Sequence, residues 1–314
     1  MAPGEQDSER KVVEMRMSRP CNEAGHEAAS GDIQISFIIP CYNETPEILA
    51  DTLRNLHAAM DAVPISNSEV IVVDDGTTRY DYRQSLPFDR ERLVRHKKNR
   101  GYGASLSTGI GEARYDWIGI VDADGTYPVG LFPSLIERAG EYDMVVGSRS
   151  WGSIPWVRRP TKWLLGKVAG SIAGVAIPDL NSGMRIFRRE IAQAHPRIFP
   201  SGFSFTSTLT MICMTEAREV AFVDIPYSVR TGDSKIHPLR DTVGFFALLL
   251  RLSLYFRPLR FFMPLTAVIL LAAMGRGIRD VWVGNHFGGL TLVLFFAAFQ
   301  VFFFGLLAEI INKK

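Results

Sequence analysis

The fold is predicted most directly by Trp117-Ile118-Gly119-Ile120-Val121-Asp122-Ala123-Asp124, an apolar run that ends in two acidic residues. Such a run predicts a buried β-strand whose carboxyl end reaches the surface at Asp122. Alternate residues of a strand project to the same side, so Asp122 and Asp124 are expected to converge just beyond the strand. Two carboxylates at that point suit a divalent cation such as Mg²⁺ or Mn²⁺. The alternative is a polar turn, because Asp124-Gly125 is an ordinary turn sequence.

Strand and helix patterns alternate on both sides of this stretch. That alternation predicts βαβ units and an α/β fold with a mostly parallel sheet. Further strands are predicted at 33–39, 69–73, 93–96, 143–147, 184–187 and 220–229, and helices at 46–60, 102–113, 131–139 and 203–217. In the first helix, Leu49, Leu53, Leu56 and Met60 share one face, which is expected to pack on the sheet.

Small polar clusters follow four predicted strands. They are Pro40-Cys41-Tyr42-Asn43-Glu44, Asp74-Asp75-Gly76-Thr77, Asn99-Arg100-Gly101-Tyr102-Gly103 and Asp122-Ala123-Asp124. The carboxyl ends of neighbouring parallel strands line one crevice, where an aromatic ring with amide and carboxylate groups can hold a base and a ribose. Each cluster alone could be turn chemistry, but four in series favour a binding crevice. The glycine segment has neither G-x-G-x-x-G nor G-K-[ST], so ATP hydrolysis has no support.

Length and composition limit the classes of protein. The chain has 314 residues and a formal net charge of +2, which gives no argument for nucleic acid as a partner. Its three cysteines, Cys21, Cys41 and Cys213, are widely spaced, which favours a reducing compartment over a disulfide framework or a zinc site. Residues 1–31 are polar and are predicted to form a disordered tail.

Two apolar segments near the C-terminus are long enough to cross a bilayer. The predicted transmembrane helices are about 261–283 and 287–308, within a membrane region of 261–312, and the alternative is a pair of buried core helices. An amphipathic juxtamembrane helix is predicted at 241–260, after a soluble domain at 32–240. Basic residues are more numerous outside the hairpin (Arg251, Arg257, Arg260, Lys313, Lys314) than between the spans (Arg276, Arg279). The positive-inside rule then places the catalytic domain and both termini on the cytoplasmic face.

The motifs together resemble a known enzyme family. S-F-I-I-P-C-Y-N-E at 36–44, V-I-V-V-D-D-G-T at 70–77, N-R-G-Y-G-A-S-L-S-T-G-I at 99–110, D-A-D-G-T-Y-P at 122–128 and V-V-G-S-R at 145–149 resemble glycosyltransferase family 2, which has the Rossmann-like GT-A fold. D-L-N-S-G-M-R-I-F-R-R at 179–189, I-P-Y-S-V-R-T-G-D-S-K at 225–235 and the hairpin are similar to its dolichyl-phosphate mannose synthase and bacterial polyprenyl-phosphate glycosyltransferase branch.

The resemblance implies roles for individual residues. The donor nucleotide would be bound by Pro40, Tyr42, Glu44, Asp75 and Asp122, and the metal by Asp124 and Asp122. The acceptor phosphate would be bound by Arg149, Arg185, Arg230, Ser234 and Lys235, and the catalytic set would be Asp122, Asp124, Arg149 and Arg185. The chain departs from the family at Thr126, where the synthases often have a metal-binding Gln, and at Thr206, Ser207 and Thr208, where relatives often carry an acidic residue.

The implied activity is transfer of a hexose, with inversion, from a GDP- or UDP-sugar to a dolichyl or undecaprenyl phosphate in the bilayer. A phosphate acceptor is largely ionised at neutral pH, so a metal and cations at the leaving diphosphate are needed more than a general base. One alternative is a non-catalytic, membrane-anchored binder of nucleotide sugars. Another is a family 2 transferase with a different lipid or saccharide acceptor. A processive polysaccharide synthase is disfavoured because the sequence has no Q-x-x-R-W motif.

Overall fold

The computed structural model describes residues 12–15, 33–84, 91–149, 166–167, 169–170, 174–202, 204–226, 250, 253–255, 258–284 and 286–312. They belong to two compact units. One unit contains the β-sheet and the polar clusters, and the other contains the two long C-terminal helices. Of the predicted juxtamembrane helix at 241–260, most lies outside the described residues, and 250, 253–255 and 258–260 are helical.

The described part of the first unit contains a mixed sheet of eight strands. They are β1 (Val12–Met15), β2 (Gln34–Cys41), β3 (Asn67–Asp74), β4 (Glu91–Arg95), β5 (Trp117–Ile120), β6 (Met144–Arg149), β7 (Arg185–Arg188) and β8 (Val220–Ile225). Their order across the sheet is β1-β8-β6-β7-β5-β2-β3-β4. The parallel pairs are β2 with β3 and β5, β3 with β4, and β6 with β8. The predicted α/β, mostly parallel fold is confirmed.

The central strands bring the polar clusters to one edge of the sheet. β2 lies between β3 and β5 and is parallel to both, with Cys41 opposite Asp74 and Ile38 opposite Ile120. These strands are apolar and buried because a central parallel strand is covered on both faces. Their carboxyl ends therefore lie side by side, and the residues that follow each strand meet along the edge of the sheet where the sequence predicts a binding crevice.

Two strands depart from what the sequence predicted. β7 is antiparallel to both β5 and β6 and joins the two parallel parts of the sheet. β1 pairs antiparallel with β8, with Val12 opposite Val223 and Met15 opposite Val220. The prediction of a disordered tail over residues 1–31 is therefore wrong for Val12–Met15, because main-chain hydrogen bonds to β8 hold those four residues in a strand.

Short helices cover the sheet. They are α1 (Pro46–Asp61), α2 (Tyr102–Glu112), α3 (Phe132–Ile136), α4 (Arg189–Ala194) and α5 (Phe205–Thr215), with 3₁₀ turns at Tyr82–Gln84 and Val129–Leu131. α1 starts with an extended Thr45 and with Pro46 in its first turn, where a missing N–H costs nothing. Its predicted face is buried as expected: Leu49, Leu53, Leu56 and Met60 all belong to the core.

The second unit contains two long helices, α6 (Pro258–Gly284) and α7 (Gly289–Asn312), which pack against each other. By length and composition, both are long and apolar enough to cross a membrane. Most of their side chains are exposed, including Leu271, Trp282 and Phe296, so they do not form the core of a soluble domain. At the turn between them, Asp280 accepts hydrogen bonds from the Gly288 amide at 3.0 Å and the Thr291 hydroxyl at 2.6 Å.

Candidate active site

The loops after β2 and β3 are fastened together at the edge of the sheet. The Asn43 amide donates to the Thr77 hydroxyl at 3.0 Å, and the Thr77 amide donates to Asp74 Oδ1 at 2.8 Å. Asn43 has a φ of 54°, a left-handed conformation that asparagine tolerates better than most residues. The Tyr82 hydroxyl donates to the Glu44 carbonyl at 2.8 Å. These bonds give the Tyr42–Glu44 segment, predicted to meet the nucleoside, a fixed backbone.

Asp75 is buried at the carboxyl end of β3, where its carboxylate accepts three hydrogen bonds. Oδ1 accepts from His96 Nδ1 at 2.7 Å and from the Arg100 amide at 2.9 Å. Oδ2 accepts from the Gly101 amide at 2.8 Å. This carboxylate therefore holds the glycine segment that begins α2 against the loop that follows β3.

Gly101 is required where α2 begins. Its φ is 100°, a conformation that residues with a side chain rarely adopt, and a Cβ there would lie 2.5 Å from the carbonyl oxygen of Ser201. The same carbonyl accepts from the Ala104 amide at 3.1 Å. The 200–202 segment therefore lies directly on the first turn of α2, and the glycines of N-R-G-Y-G make this close approach possible.

Asp122 lies at the end of β5, where a phenol and a glycine define its position. The Tyr102 hydroxyl donates to Asp122 Oδ1 at 2.8 Å. Burial raises the pKa of the Tyr102 phenol well above its usual value, so it remains a donor at neutral pH. On the other side Gly183 lies so close that a Cβ would be 2.9 Å from Asp122 Cγ and nearer still to Oδ2. The carboxylate thus fills the space that a side chain at residue 183 would need.

Asp124 follows in the turn beyond β5, and Thr126 orients it. Asp124 Oδ1 accepts from the Thr126 hydroxyl at 2.7 Å and from the Thr126 amide at 3.1 Å. Thr126 is buried, whereas Asp124 is half-buried. Thr126, where the chain departs from the family pattern, therefore contacts the Asp124 carboxylate directly. Asp122 and Asp124 both lie at the carboxyl end of β5, as the sequence predicted.

Arg149, at the end of β6, forms a bidentate ion pair with Asp179. Its Nε lies 2.8 Å from Asp179 Oδ2, and one terminal nitrogen lies 2.9 Å from Oδ1. The same terminal nitrogen donates to Asn181 Oδ1 at 2.9 Å. Asp179 is completely buried, so the pair anchors the D-L-N-S-G segment to β6. Arg149 thus lies beside the segment that carries Gly183.

Arg185 does not line the crevice. It is completely buried at the start of β7 and donates to the carbonyls of Ser182 and Thr206 and to the Thr210 hydroxyl. Burial lowers the pKa of this guanidinium. The structure does not support its predicted contact with the acceptor phosphate, because its donors bind acceptors within the protein. Arg185 instead connects β7 to the first turns of α5.

The structure places the remaining predicted residues as follows. Pro40, the penultimate residue of β2, is half-buried, as are Tyr42 and Glu44 in the following loop. Thr206 and Thr208 are buried in α5. Arg230, Ser234 and Lys235 lie outside the described residues. Sequence reasoning did not single out Tyr102, Gly183, Asp179 or His96. Tyr102, Gly183 and Asp179 belong to the motifs quoted above. The motifs therefore marked these positions but did not show their physical role.

A polar crevice at the carboxyl edge of a parallel sheet, with D-A-D at a strand end, is compatible with many α/β enzymes. Comparison with known proteins decides between them. The family model "Glycosyl transferase family 2" matches residues 36–195, about half of the chain, and the model "GtrB C-terminal hairpin" matches residues 257–313. The chain belongs to glycosyltransferase family 2. The resemblance drawn from the motifs is confirmed, and the hairpin match agrees with the packing of α6 against α7.

Two curated relatives of this family 2 member extend over most of its length. A dolichyl-phosphate beta-glucosyltransferase from Trichomonas vaginalis is 29% identical over 246 residues, which cover 72% of this chain and 72% of the relative. An undecaprenyl-phosphate 4-deoxy-4-formamido-L-arabinose transferase from Enterobacter sp. (strain 638) is 27% identical over 301 residues, which cover 89% and 88%. Both relatives are named for transfer to a polyprenyl phosphate.

The fold is shared with a solved glycosyltransferase. Glucosyl-3-phosphoglycerate synthase from Mycobacterium tuberculosis, crystallised with Mn²⁺, uridine diphosphate and phosphoglyceric acid, superimposes with a TM-score of 0.56 at 18% sequence identity. The match covers 73% of this family 2 chain and 81% of the synthase. The likeness supports the GT-A assignment of the sheet unit.

Proposed function

We propose that this family 2 enzyme transfers a hexose from a nucleotide sugar to a polyprenyl phosphate at the membrane, with inversion at the anomeric carbon. The observation that carries the proposal is the presence, in one chain, of a polar crevice ending in D-A-D and an exposed apolar hairpin. A transferase with a water-soluble acceptor has no need of such a hairpin. Both relatives described above are named for polyprenyl-phosphate acceptors, in agreement with this assignment.

The donor nucleotide is assigned to the crevice after β2 and β3. Pro40, Tyr42 and Glu44 would contact the nucleoside from one loop, and Asp75 would accept an N–H of the base. Asp122 would lie at the ribose or the diphosphate. The fastened loops support this assignment, because a crevice that is rigid before binding loses little conformational entropy when the ligand enters.

The carboxylates of the D-A-D turn fit a divalent cation that is bound jointly by the protein and the substrate. Within the described residues, no group of three or more His, Cys, Asp or Glu side chains could enclose an ion. Mg²⁺ commonly binds only one or two protein carboxylates together with substrate phosphates. Asp124 and Asp122 would supply the carboxylates. When bound, Mg²⁺ or Mn²⁺ would neutralise negative charge on the leaving diphosphate. Thr126 contributes by fixing the orientation of the Asp124 carboxylate.

The acceptor phosphate needs cations and alignment more than a base. Its second pKa is near ~6, so it is mostly a dianion at neutral pH and already nucleophilic. We assign its binding to Arg149, together with Arg230, Ser234 and Lys235 of the 225–235 motif. Arg149 is held in place by Asp179, so its guanidinium is oriented before the acceptor arrives. Arg185 is assigned to support of α5 instead.

The hairpin would hold the enzyme where its acceptor resides. The distribution of basic residues around α6 and α7 favours a cytoplasmic position for the sheet unit and for both termini. A cysteine-accessibility experiment on intact cells tests this orientation, with a single cysteine introduced between the spans after the native cysteines are removed. Labelling by an impermeant reagent from outside is expected, and protection from it contradicts the orientation.

The transfer itself is tested with purified full-length protein, a polyprenyl phosphate, a panel of radiolabelled GDP- and UDP-sugars, and Mg²⁺ or Mn²⁺. We expect metal-dependent label in the lipid phase from the wild type and none above background from Asp124→Ala. Label in the lipid with wild type and mutant alike would exclude the assigned role of Asp124. If nucleotide sugars bind but no donor labels the lipid, a non-catalytic binder or a different acceptor becomes the better assignment.

A further inference from the structure

His96 lies between Asp75, at the carboxyl end of β3, and Thr108 on α2. Its Nδ1 is 2.7 Å from Asp75 Oδ1, and its Nε2 is 3.0 Å from the Thr108 hydroxyl on α2. Both His96 and Asp75 are buried. The Asp75 carboxylate can only accept, so Nδ1 carries a hydrogen, and Nε2 forms the second hydrogen bond with the Thr108 hydroxyl. The ring orientation is therefore fixed at both nitrogens.

This arrangement limits what Asp75 can still bind. An ionised carboxylate has about four lone-pair sites, two on each oxygen. On Oδ1 both sites are used, one by His96 and one by the Arg100 amide. On Oδ2 the Gly101 amide uses one. With these three bonds from the described residues in place, one site remains for a ligand, and it lies on Oδ2.

Nucleobases differ in how many donors they present to a carboxylate. Uracil presents a single imide N–H. Guanine presents N1–H and an N2 amino hydrogen side by side, which together match the two oxygens of one carboxylate. A carboxylate with only one remaining site would leave one guanine donor unpaired in a buried position, and an unpaired buried donor is costly.

We propose that His96 is a specificity-determining residue that makes the base site favour uracil over guanine by occupying Oδ1 of Asp75. The inference rests on the proposed function, in which Asp75 contacts the nucleoside, and it narrows the donor from a GDP- or UDP-sugar to a UDP-sugar. His96 acts through Asp75 and needs no contact with the base.

Another buried histidine serves as a matched control. His57 in α1 pairs with Glu91 at 2.8 Å, and Glu91 lies at the amino end of β4, outside the polar clusters. His57 and His96 are both buried histidines paired with a carboxylate. A general effect of losing a buried histidine pair would therefore appear equally in His57→Leu and His96→Leu. An effect on base selectivity is expected only in the second.

The test is calorimetric binding of UDP and of GDP, with Mn²⁺, to the full chain in detergent. We expect the wild type to bind UDP at least about tenfold more tightly than GDP. His96→Leu frees a site on Oδ1, so the ratio of the two dissociation constants should fall about tenfold. His96→Asn places an amide N–H where Nδ1 was and should restore the ratio, and His57→Leu should leave it unchanged. A ratio of two constants measured on one protein does not depend on the folded fraction.

Two results would overturn the inference alone: equal binding of UDP and GDP by the wild type, or a ratio that His96→Leu leaves unchanged. Binding of neither nucleotide would overturn the proposed function together with it. The transfer assay with radiolabelled GDP- and UDP-sugars gives a second test that distinguishes the inference from the proposed function. Transfer from a GDP-sugar as efficient as from a UDP-sugar contradicts the role of His96 while leaving the transferase assignment intact.

Discussion

The contact between Gly183 and Asp122 allows a test of the site that requires adding only one methyl group. Gly183→Ala places a Cβ 2.9 Å from Asp122 Cγ, whereas carbon atoms normally approach to ~3.5–4.0 Å. The carboxylate must therefore retreat by roughly 0.6–1.1 Å, or the backbone must move by as much. Either change disturbs its 2.8 Å hydrogen bond from Tyr102.

Gly183→Ala is expected to lower activity far more than it lowers folding stability. Overpacking of this kind typically destabilises a fold by about 1–3 kcal/mol. A displacement near 1 Å at a group that aligns substrate can lower the rate by about 10²-fold. We therefore expect kcat/KM for sugar transfer to fall about 10²-fold at a temperature where the variant is still folded. Radiolabel transfer into lipid measures kcat/KM, and a thermal melt followed by circular dichroism measures the loss of stability.

Gly111→Ala is the matched control. Gly111 lies in the last turn of α2, where an added Cβ meets nothing within 4 Å, so alanine should leave transfer unchanged. In a helix it should stabilise the protein by up to about 1 kcal/mol. If Gly183→Ala retains kcat/KM within about twofold of the wild type, Asp122 is not held where the reaction needs it, and the reasoning is refuted.

Three further predictions follow from single contacts. Tyr102→Phe removes the donor to Asp122 and should lower kcat/KM about tenfold, and an unchanged value would show that the phenol is dispensable. Arg149→Met removes the bidentate partner of the buried Asp179 carboxylate and should reduce the free energy of unfolding by about 3–5 kcal/mol in urea titrations, with Arg149→Lys intermediate; equal stability of the wild type and both variants contradicts the ion pair. Burial raises the pKa of the Cys41 thiol from 9.0 to about 12, so its contribution to stability should be complete below pH 9.0 and decline up to about pH 12. With the other two cysteines replaced by alanine, a thiol reagent at pH 8 should modify Cys41 only after unfolding, and rapid modification of the folded protein would contradict its burial.

Much of the fold and of the D-A-D site follows from local pattern. The run before Asp122 could be recognised as a buried strand because its residues are uniformly apolar and end abruptly at an acid. The hairpin could be recognised for the same reason, since a bilayer-spanning length of apolar residues is a local property. These elements need no knowledge of their partners to be identified.

Arg185 shows where local pattern fails. The resemblance implied a phosphate ligand at this position, and a charged residue is rarely buried completely. The acceptors that make its burial possible lie at residues 182, 206 and 210, and the last two are on helix α5. β7 and Gly183 are similar cases, because the direction of a strand and the need for a glycine depend on neighbours distant in the sequence.

The pairing of β1 with β8 has a consequence for the order of events during synthesis. Met15 has Val220 as its partner, so β1 must wait while the ribosome adds about 200 residues, on the order of 10–40 s at usual elongation rates. Until then the outer edge of β8 cannot be covered, and an uncovered strand edge invites pairing with other chains. β1 would thus be the last strand to join the sheet and would cover the exposed edge of β8. Deleting β1 should increase aggregation of the newly made protein more than it lowers the activity of folded molecules.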